Sequence, residues 1–289
     1  MTYESIQELI EQAQSQNITI GELILKDQAE TMEISEDEVL ERMDSELKVM
    51  EESAQTGMCK DIKSTSGLTG GDAYRLKKYN TENGSLSGDF CIKAMSTAIA
   101  VAECNASMGR IVAAPTAGSC GILPAAILTM MSEKKIDRRK ACLGLLTAGG
   151  VGMVIANVAS IAGATGGCQA ECGSAAAMAA AALVELSGGI PEMAGNAMAI
   201  SIKNQLGLVC DPVAGLVEVP CIKRNAGSIM CAIMAADLAL AGVKSVIPID
   251  EVISAMNEVG ATLPCALRET AQGGLATTKT GLKIASDIL

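Results

Sequence analysis

The chain has almost nothing large to pack with. Its 289 residues include no Trp, one Phe and three Tyr, against 29 Gly, 16 Met and long Ala runs, yet 49% of them are apolar. A core of that kind fills only where backbones approach closely. Small side chains on helices permit that approach, whereas the strands of a β-sandwich draw on aromatic and β-branched residues. No hairpin signal or series of alternating strands interrupts the pattern. The reading is therefore all-α, a multi-helix bundle of small-residue-rich buried helices with functional loops at the helix termini. The length suits one large domain, or one domain with a small appendage.

Residues 2–56 read as short acidic amphipathic helices. Thr19 with Glu22 and Ser35 with Glu38 have capping-box spacing. Ile18, Ile20, Leu23 and Leu25 precede the acidic stretch, and Val39, Leu40, Met43, Leu47 and Met50 follow at helical spacing. The expected organisation is an acidic helical cap over 1–56 and a catalytic body over 57–289, either separate or continuous. The cap is read as a solvated surface, with docking of a partner as the alternative. Residues 57–90 read as loop-rich. Beyond them, helices are expected over about 90–107, 121–134, 138–162, 170–187, 191–206, 226–242 and 249–259.

Residues 141–170 carry no charge and are long enough to span a membrane. They are rich in Gly and Ala, are interrupted by Asn157 and Ser160, and have no Trp or Tyr at either end. Membrane spans carry more Leu, Ile and Phe and are flanked by interfacial aromatics. A helix buried on all sides in a bundle is the better reading, and no membrane contact is expected.

The net charge is −11, from 22 basic and 33 acidic residues, with much of the acid in the first 52 positions. Such a chain repels phosphate backbones, so nucleic acid is not an expected partner. The start, Met1-Thr2-Tyr3-Glu4, shows no basic stretch followed by an apolar core. A reducing, cytoplasmic setting is expected, and the eleven cysteines are then thiols or metal ligands rather than a disulfide framework. The absence of histidine removes Ser-His-Asp chemistry, His-ligated zinc catalysis and imidazole acid–base work from this chain.

Three cysteines stand apart by setting. Cys168 follows Gly166-Gly167, Cys210 follows Gly207-Leu208-Val209, and Cys221 follows Val219-Pro220. A thiol just after a Gly or Pro break is freed from a packed helix face and has backbone N–H groups nearby to bond thiolate or sulfide. Soft ligands without histidine suit an iron–sulfur or thiolate zinc site. The spacing is not the C-x₂-C pattern of ferredoxins or zinc ribbons. Cys104, Cys142 and Cys231 sit inside apolar helical runs and read as small buried hydrophobes. Cys172 lies four residues after Cys168, one helical turn on and on the same face. With it the site is a closed four-thiolate set; without it one metal position stays open.

Four segments resemble the iron–sulfur L-serine dehydratases: residues 114–121 (APTAGSCG), 166–174 (GGCQAECGS), 207–225 (GLVCDPVAGLVEVPCIKRN) and 263–276 (LPCALRETAQGGLA). The resemblance runs from about residue 18 to the end and is to the alpha subunit of the two-subunit form. It implies conversion of L-serine to pyruvate and ammonia, and a hetero-oligomer with a beta subunit carrying a small α/β domain and an ACT-type module. It also implies a [4Fe–4S] cluster on Cys168, Cys210 and Cys221, whose open iron acts as a Lewis acid on the substrate 3-hydroxyl. The family pattern does not require a cysteine at 172, so Cys172 reads as a helical filler. Some single-chain relatives bring a C-terminal cysteine tail to the site; residues 283–289 contain none, so tail ligation by this chain is not expected.

A small-residue loop leading into a helix presents N–H groups to an anion, here the substrate carboxylate. Thr116, Ala117, Gly118 and Ser119 form the first candidate loop for it, and Thr69 and Gly70 a second. The second loop is also open to contact with the beta subunit. Arg268 and Arg224 are possible carboxylate partners, with structural ion pairing as the alternative. The base stays unassigned among Lys, Cys, an acid, a hydroxyl or a group of the beta subunit. Two rivals remain. A pyridoxal-phosphate enzyme needs a Schiff-base lysine and a phosphate cup, and no lysine setting here matches. A non-catalytic helical protein with a closed Cys168/Cys172/Cys210/Cys221 zinc or iron–sulfur site is the other.

Overall fold

The computed structural model describes residues 3–288; Met1, Thr2 and Leu289, the outermost residues of the expected cap and body, lie outside the described residues. The described residues form thirteen α-helices and no strand. They are α1 (Ile6–Ser15), α2 (Ile20–Met32), α3 (Glu36–Gly57), α4 (Asp72–Asn83), α5 (Gly88–Ala106), α6 (Ile122–Glu133) and α7 (Arg138–Val158). There follow the single turn α8 (Gly163–Gly166), then α9 (Ser174–Leu186), α10 (Pro191–Lys203), α11 (Cys221–Leu240), α12 (Ile249–Thr262) and α13 (Lys279–Ile288). The all-α expectation holds.

The Ala run explains the centre. Every residue of α9 from Ser174 to Val184 is buried, and α6, α7, α10 and α11 surround it. A helix enclosed on all sides must be thin, and Ala both favours helix and keeps it thin. Glycines do the same on α7. A methyl on Gly150 would lie 2.6 Å from Ile24 of α2, and one on Gly152 would lie 2.9 Å from Met178 of α9. The helix α7 is long and apolar enough to cross a membrane, but 61% of its most apolar window is buried inside the bundle. It starts at 138 as expected but falls short of the expected 162. The helix stops at Val158, where Ser160 accepts the N–H of Ala162 and offers the backbone a local alternative.

Both capping boxes form. Thr19 and Glu22 exchange hydrogen bonds at the start of α2, and Ser35 and Glu38 do so at the start of α3. The apolar residues of α1–α3, from Ile6 to Met50, join the same core as α5–α12. Long-range carboxylates fasten these helices. Glu185 of α9 accepts from the N–H groups of Ile20 and Gly21, and Asp250 of α12 accepts from those of Ile6 and Gln7.

The stretch 57–90 is less loop-like than its sequence suggests, because α4 occupies twelve of its residues. A second small cluster seats it, with Ala73 and Leu76 against Ile99, Ala100, Ala102, Ile222 and Ala226. Only Ala73 is fully buried on α4, and only Gly281 on α13, which the sequence reading also missed. Helices that bury so little carry a weak periodic signal.

The α3–α5 crossing gives a stability test. A Cβ on Gly57 would overlap the carbonyl of Ala100, which is backbone and cannot swing away. Helix propensity alone favours Gly57→Ala by at most about 1 kcal/mol. Forced overpacking costs about 1–3 kcal/mol and should win. Thermal unfolding of Gly57→Ala should therefore show net destabilisation; a variant as stable as the parent would mean that the two helices separate freely.

Candidate functional site

Each of the three cysteines is placed by a local break. Gly167, at φ 76°, ends α8 and turns the chain so that Cys168 begins a π-helical turn, Gln169–Gly173, which runs into α9. Cys210 lies in extended chain, paired in parallel with Arg268. Its N–H donates to the Leu267 carbonyl at 2.8 Å, and its carbonyl accepts from Glu269 N–H at 2.8 Å. Cys221 is the first residue of α11, directly after Pro220, so the helix starts five residues earlier than the expected 226. A proline suits the position before a helix, where no intrahelical donor is needed.

Backbone and side-chain bonds bind these segments into one frame. Gln169 N–H donates to the Leu208 carbonyl, and the Gln169 carboxamide accepts from Gly207 N–H, so the Cys168 and Cys210 segments are fastened together. Val213 N–H donates to the Val219 carbonyl and folds the chain back from Cys210 to Cys221. Arg224, one turn into α11, donates to the Val209 carbonyl at 2.7 Å and to Asp211 at 2.8 Å.

The sulfurs influence one another electrically. Burial pushes the Cys221 thiol up to about 12, with the charge of Cys168 as the second cause. Burial also raises Cys210 strongly, and Glu171, Cys168, Glu269 and Cys221 add to it. Cys168 goes the other way. Its sulfur is 3.3 Å from that of Cys172, and the hydrogen bond between the two, with the nearby Arg224 guanidinium, lowers its pKa. The Cys172 thiol is pushed up, through its hydrogen bond with Cys168 and through burial.

Buried thiols with raised pKa become thiolates only when positive charge is supplied, which a metal centre does. Among the described residues no three Cys, Asp or Glu side chains converge on a single metal ion. An iron–sulfur cube spreads its thiolates over a wider frame than one zinc ion does, so the donor set suits the former better. The thiols gathered on this frame are Cys168, Cys172, Cys210 and Cys221, with the Cys172 sulfur 3.3 Å from that of Cys168. Cys104 and Cys142 are buried fillers as expected, whereas Cys231 is half-buried and hydrogen-bonds to Ser201.

The anion-binding candidates gather on this frame. Ala117–Ser119 forms a 3₁₀ turn ahead of α6. Among the described residues, the N–H groups of Ala117 and Gly118 have no acceptor, as expected at the start of a helical turn. The hydroxyls of Thr116 and Ser119 are 3.2 Å apart. Asn225 of α11 joins this turn to Cys221. Its amide donates to the carbonyls of Gly118 and Cys221, at 2.8 and 2.9 Å, while its oxygen accepts from Gly121 N–H at 2.8 Å. The second loop is fastened to the Cys210–Cys221 stretch. The hydroxyls of Ser66 and Thr69 donate to buried Glu218, at 3.0 and 2.9 Å, and Gly70 beside them takes φ 141°.

The two arginines separate. Arg224 is committed to Asp211 and Val209, which supports the ion-pair alternative. Arg268 is half-buried and reaches the Thr165 carbonyl at 3.5 Å, so its guanidinium keeps donors to spare.

Three residues escaped the sequence reading. Asn225 and Glu218 position loops across more than a hundred residues of sequence, and Glu171 joins the Cys168 turn to the 116–119 loop. Glu171 is buried, accepts from the Thr116 hydroxyl and the Gly163 N–H, and is raised above the usual carboxylate range chiefly by burial. Its place in the segment with Cys168 was the only available signal.

Known proteins resemble the chain over nearly its whole length. The model of the family described as serine dehydratase alpha chain matches residues 15–276. A probable L-serine dehydratase alpha chain of Bacillus subtilis is 50% identical over 286 residues, covering 99% of this chain and 95% of the relative. The L-serine dehydratase alpha chain of Peptoniphilus asaccharolyticus is 48% identical over 282 residues, covering 98% and 97%. An L-serine dehydratase of Streptomyces coelicolor is 40% identical over 276 residues, which are 93% of this chain but 59% of that longer protein.

Proposed function

The chain belongs to the serine dehydratase alpha-chain family, and we propose that, with a separate beta subunit, it converts L-serine to pyruvate and ammonia using a [4Fe–4S] cluster. Cys168, Cys210 and Cys221 are its ligands in this reading. When bound, the cluster supplies a Lewis-acidic iron that favours departure of the 3-hydroxyl. The reaction is then a carbon–nitrogen lyase reaction without net redox: water leaves, and hydrolysis of the resulting imine releases ammonia.

One observation carries the reading. Asn225 hydrogen-bonds to the carbonyls of both Gly118 and Cys221, so a turn with unpaired N–H groups and the half-buried Cys221 share one support. An α-amino acid whose carboxylate sits on that turn has its side chain close to the thiol set. Thr116 and Ser119 add hydroxyl donors to the N–H groups of Ala117 and Gly118, and such preset donors orient substrate without reorganising at each turnover. Glu218 holds Ser66 and Thr69 beside the same segment, which supports reading the second loop as a wall of the site. The burial of Cys168 and Cys210 restricts water around the thiolates, as an oxygen-sensitive centre requires.

The test is anaerobic reconstitution with iron and sulfide, followed by assay of the chain with and without its partner subunit. Pyruvate and ammonia should form in equal amounts, only with L-serine present, alongside a broad visible band bleached by dithionite. A preparation that holds one zinc and no inorganic sulfide would instead make Cys172 the fourth ligand of a closed site. A band removed by borohydride would point to pyridoxal phosphate.

A further inference from the structure

L-Serine presents three polar groups, and the reading above places two of them: the carboxylate on the 116–119 turn and the hydroxyl toward the cysteines. The ammonium needs an anion next to that turn, because ammonium and carboxylate share one Cα. Two buried carboxylates at the site have no ion-pair partner among the described residues, Glu171 and Glu218. Glu218 is taken up by the Ser66 and Thr69 hydroxyls on the side of the 64–70 loop. Glu171 faces the turn itself. A methyl built on Gly118 would lie 3.2 and 3.3 Å from its two oxygens. One built on Gly163 would lie 2.8 Å from its Oε2 and 3.0 Å from the Cys210 sulfur, so the carboxylate lies between turn and thiol set.

The partners Glu171 has are neutral: the Thr116 hydroxyl and the Gly163 N–H. The nearest cation, Arg224, is held by Asp211. A buried carboxylate left without a cation is costly, and the cost falls when a cationic ligand arrives. Resting on the L-serine reading, we propose that Glu171 binds the substrate ammonium and so selects an α-amino acid over the hydroxy acid of the same skeleton. Gly118 and Gly163 suit this role, since a side chain at either position would crowd the carboxylate from the turn or from the thiol side.

The experiment compares L-serine with L-glycerate, which replaces the ammonium by a hydroxyl, in the reconstituted assembly with its partner subunit. Glu171→Gln keeps the shape and removes the charge. KM for L-serine should rise about 30-fold, the worth of one charge-assisted hydrogen bond, while inhibition by L-glycerate stays unchanged or strengthens. A readout independent of turnover is calorimetric titration with L-alanine and L-lactate, where the variant should lose the parent's preference for L-alanine. Glu171→Asp keeps the charge with a shorter reach and should retain part of both preferences. If Glu171→Gln does not fold, the Glu171→Asp ratios decide alone, and ratios equal to the parent's overturn the proposal. Equal weakening toward amino acid and hydroxy acid also overturns it, because a merely structural role predicts that result. A parent assembly that makes no pyruvate from L-serine sinks the functional reading; an active parent with unchanged discrimination in the variant sinks the ammonium site alone.

Discussion

Substitution of Cys210 by serine is expected to prevent uptake of the proposed cluster and to lower L-serine turnover at least about a thousandfold, the rate equivalent of roughly 4 kcal/mol of lost charge stabilisation. The same result is expected for Cys168→Ser and Cys221→Ser. A hydroxyl is a harder and far less acidic donor than a thiol, so it does not replace a thiolate toward iron. The sites are also unforgiving, since Cys168 and Cys210 are buried. Cys172→Ser is the control. Its sulfur is 3.3 Å from that of Cys168 and hydrogen-bonded to it, a contact that a hydroxyl also makes. Iron and sulfide content should stay near the parent's, with activity reduced by no more than a few-fold. Iron and sulfide analysis of the four anaerobically purified variants, together with pyruvate assays, checks the set. Loss of the cluster from Cys172→Ser would make it a ligand and the site a closed one.

How far the sequence reaches can be seen at single residues. The spacing of Thr19 with Glu22 announces the start of α2 because both halves of a capping box lie within one turn. The Ala run of α9 announces burial, because a helix without large side chains has no amphipathic alternative. The breaks before Cys168, Cys210 and Cys221 mark thiols outside packed helix faces, and the structure places all three in one frame. What stays hidden is what acts across distance. Asn225 joins residues 118, 121 and 221, and Glu185 caps α2 from 165 residues away, and no local pattern distinguishes either from an ordinary polar residue. Glu171 stood beside Cys168 in plain view. Its role depends on which groups surround it, and only the packing of α8 and the 116–119 turn against it supplies that.

The Arg224–Asp211 pair should show how that frame is held. Their side chains are 16% and 4% exposed, with 2.8 Å between the bonded atoms. The second carboxylate oxygen of Asp211 accepts from Leu275 N–H at 2.7 Å, and Arg224 also bonds the Val209 carbonyl. The pair therefore joins α11, the Cys210 segment and the chain after α12. Arg224→Leu leaves a buried carboxylate without its cation and a carbonyl without its donor. Removing one partner of such a pair costs about 3–5 kcal/mol, although the pair itself contributes little beyond an apolar replacement. For a chain of this size that lowers the unfolding midpoint by roughly 10 °C. The double variant Arg224→Leu with Asp211→Leu should recover part of the loss, since no uncompensated charge remains. Substrate binding by Arg224 predicts a different pattern: a raised KM in Arg224→Lys with an unchanged midpoint, and no recovery in the double variant. The geometry favours the first outcome, because Nη1 and Nη2 of Arg224 are each already bonded to the protein.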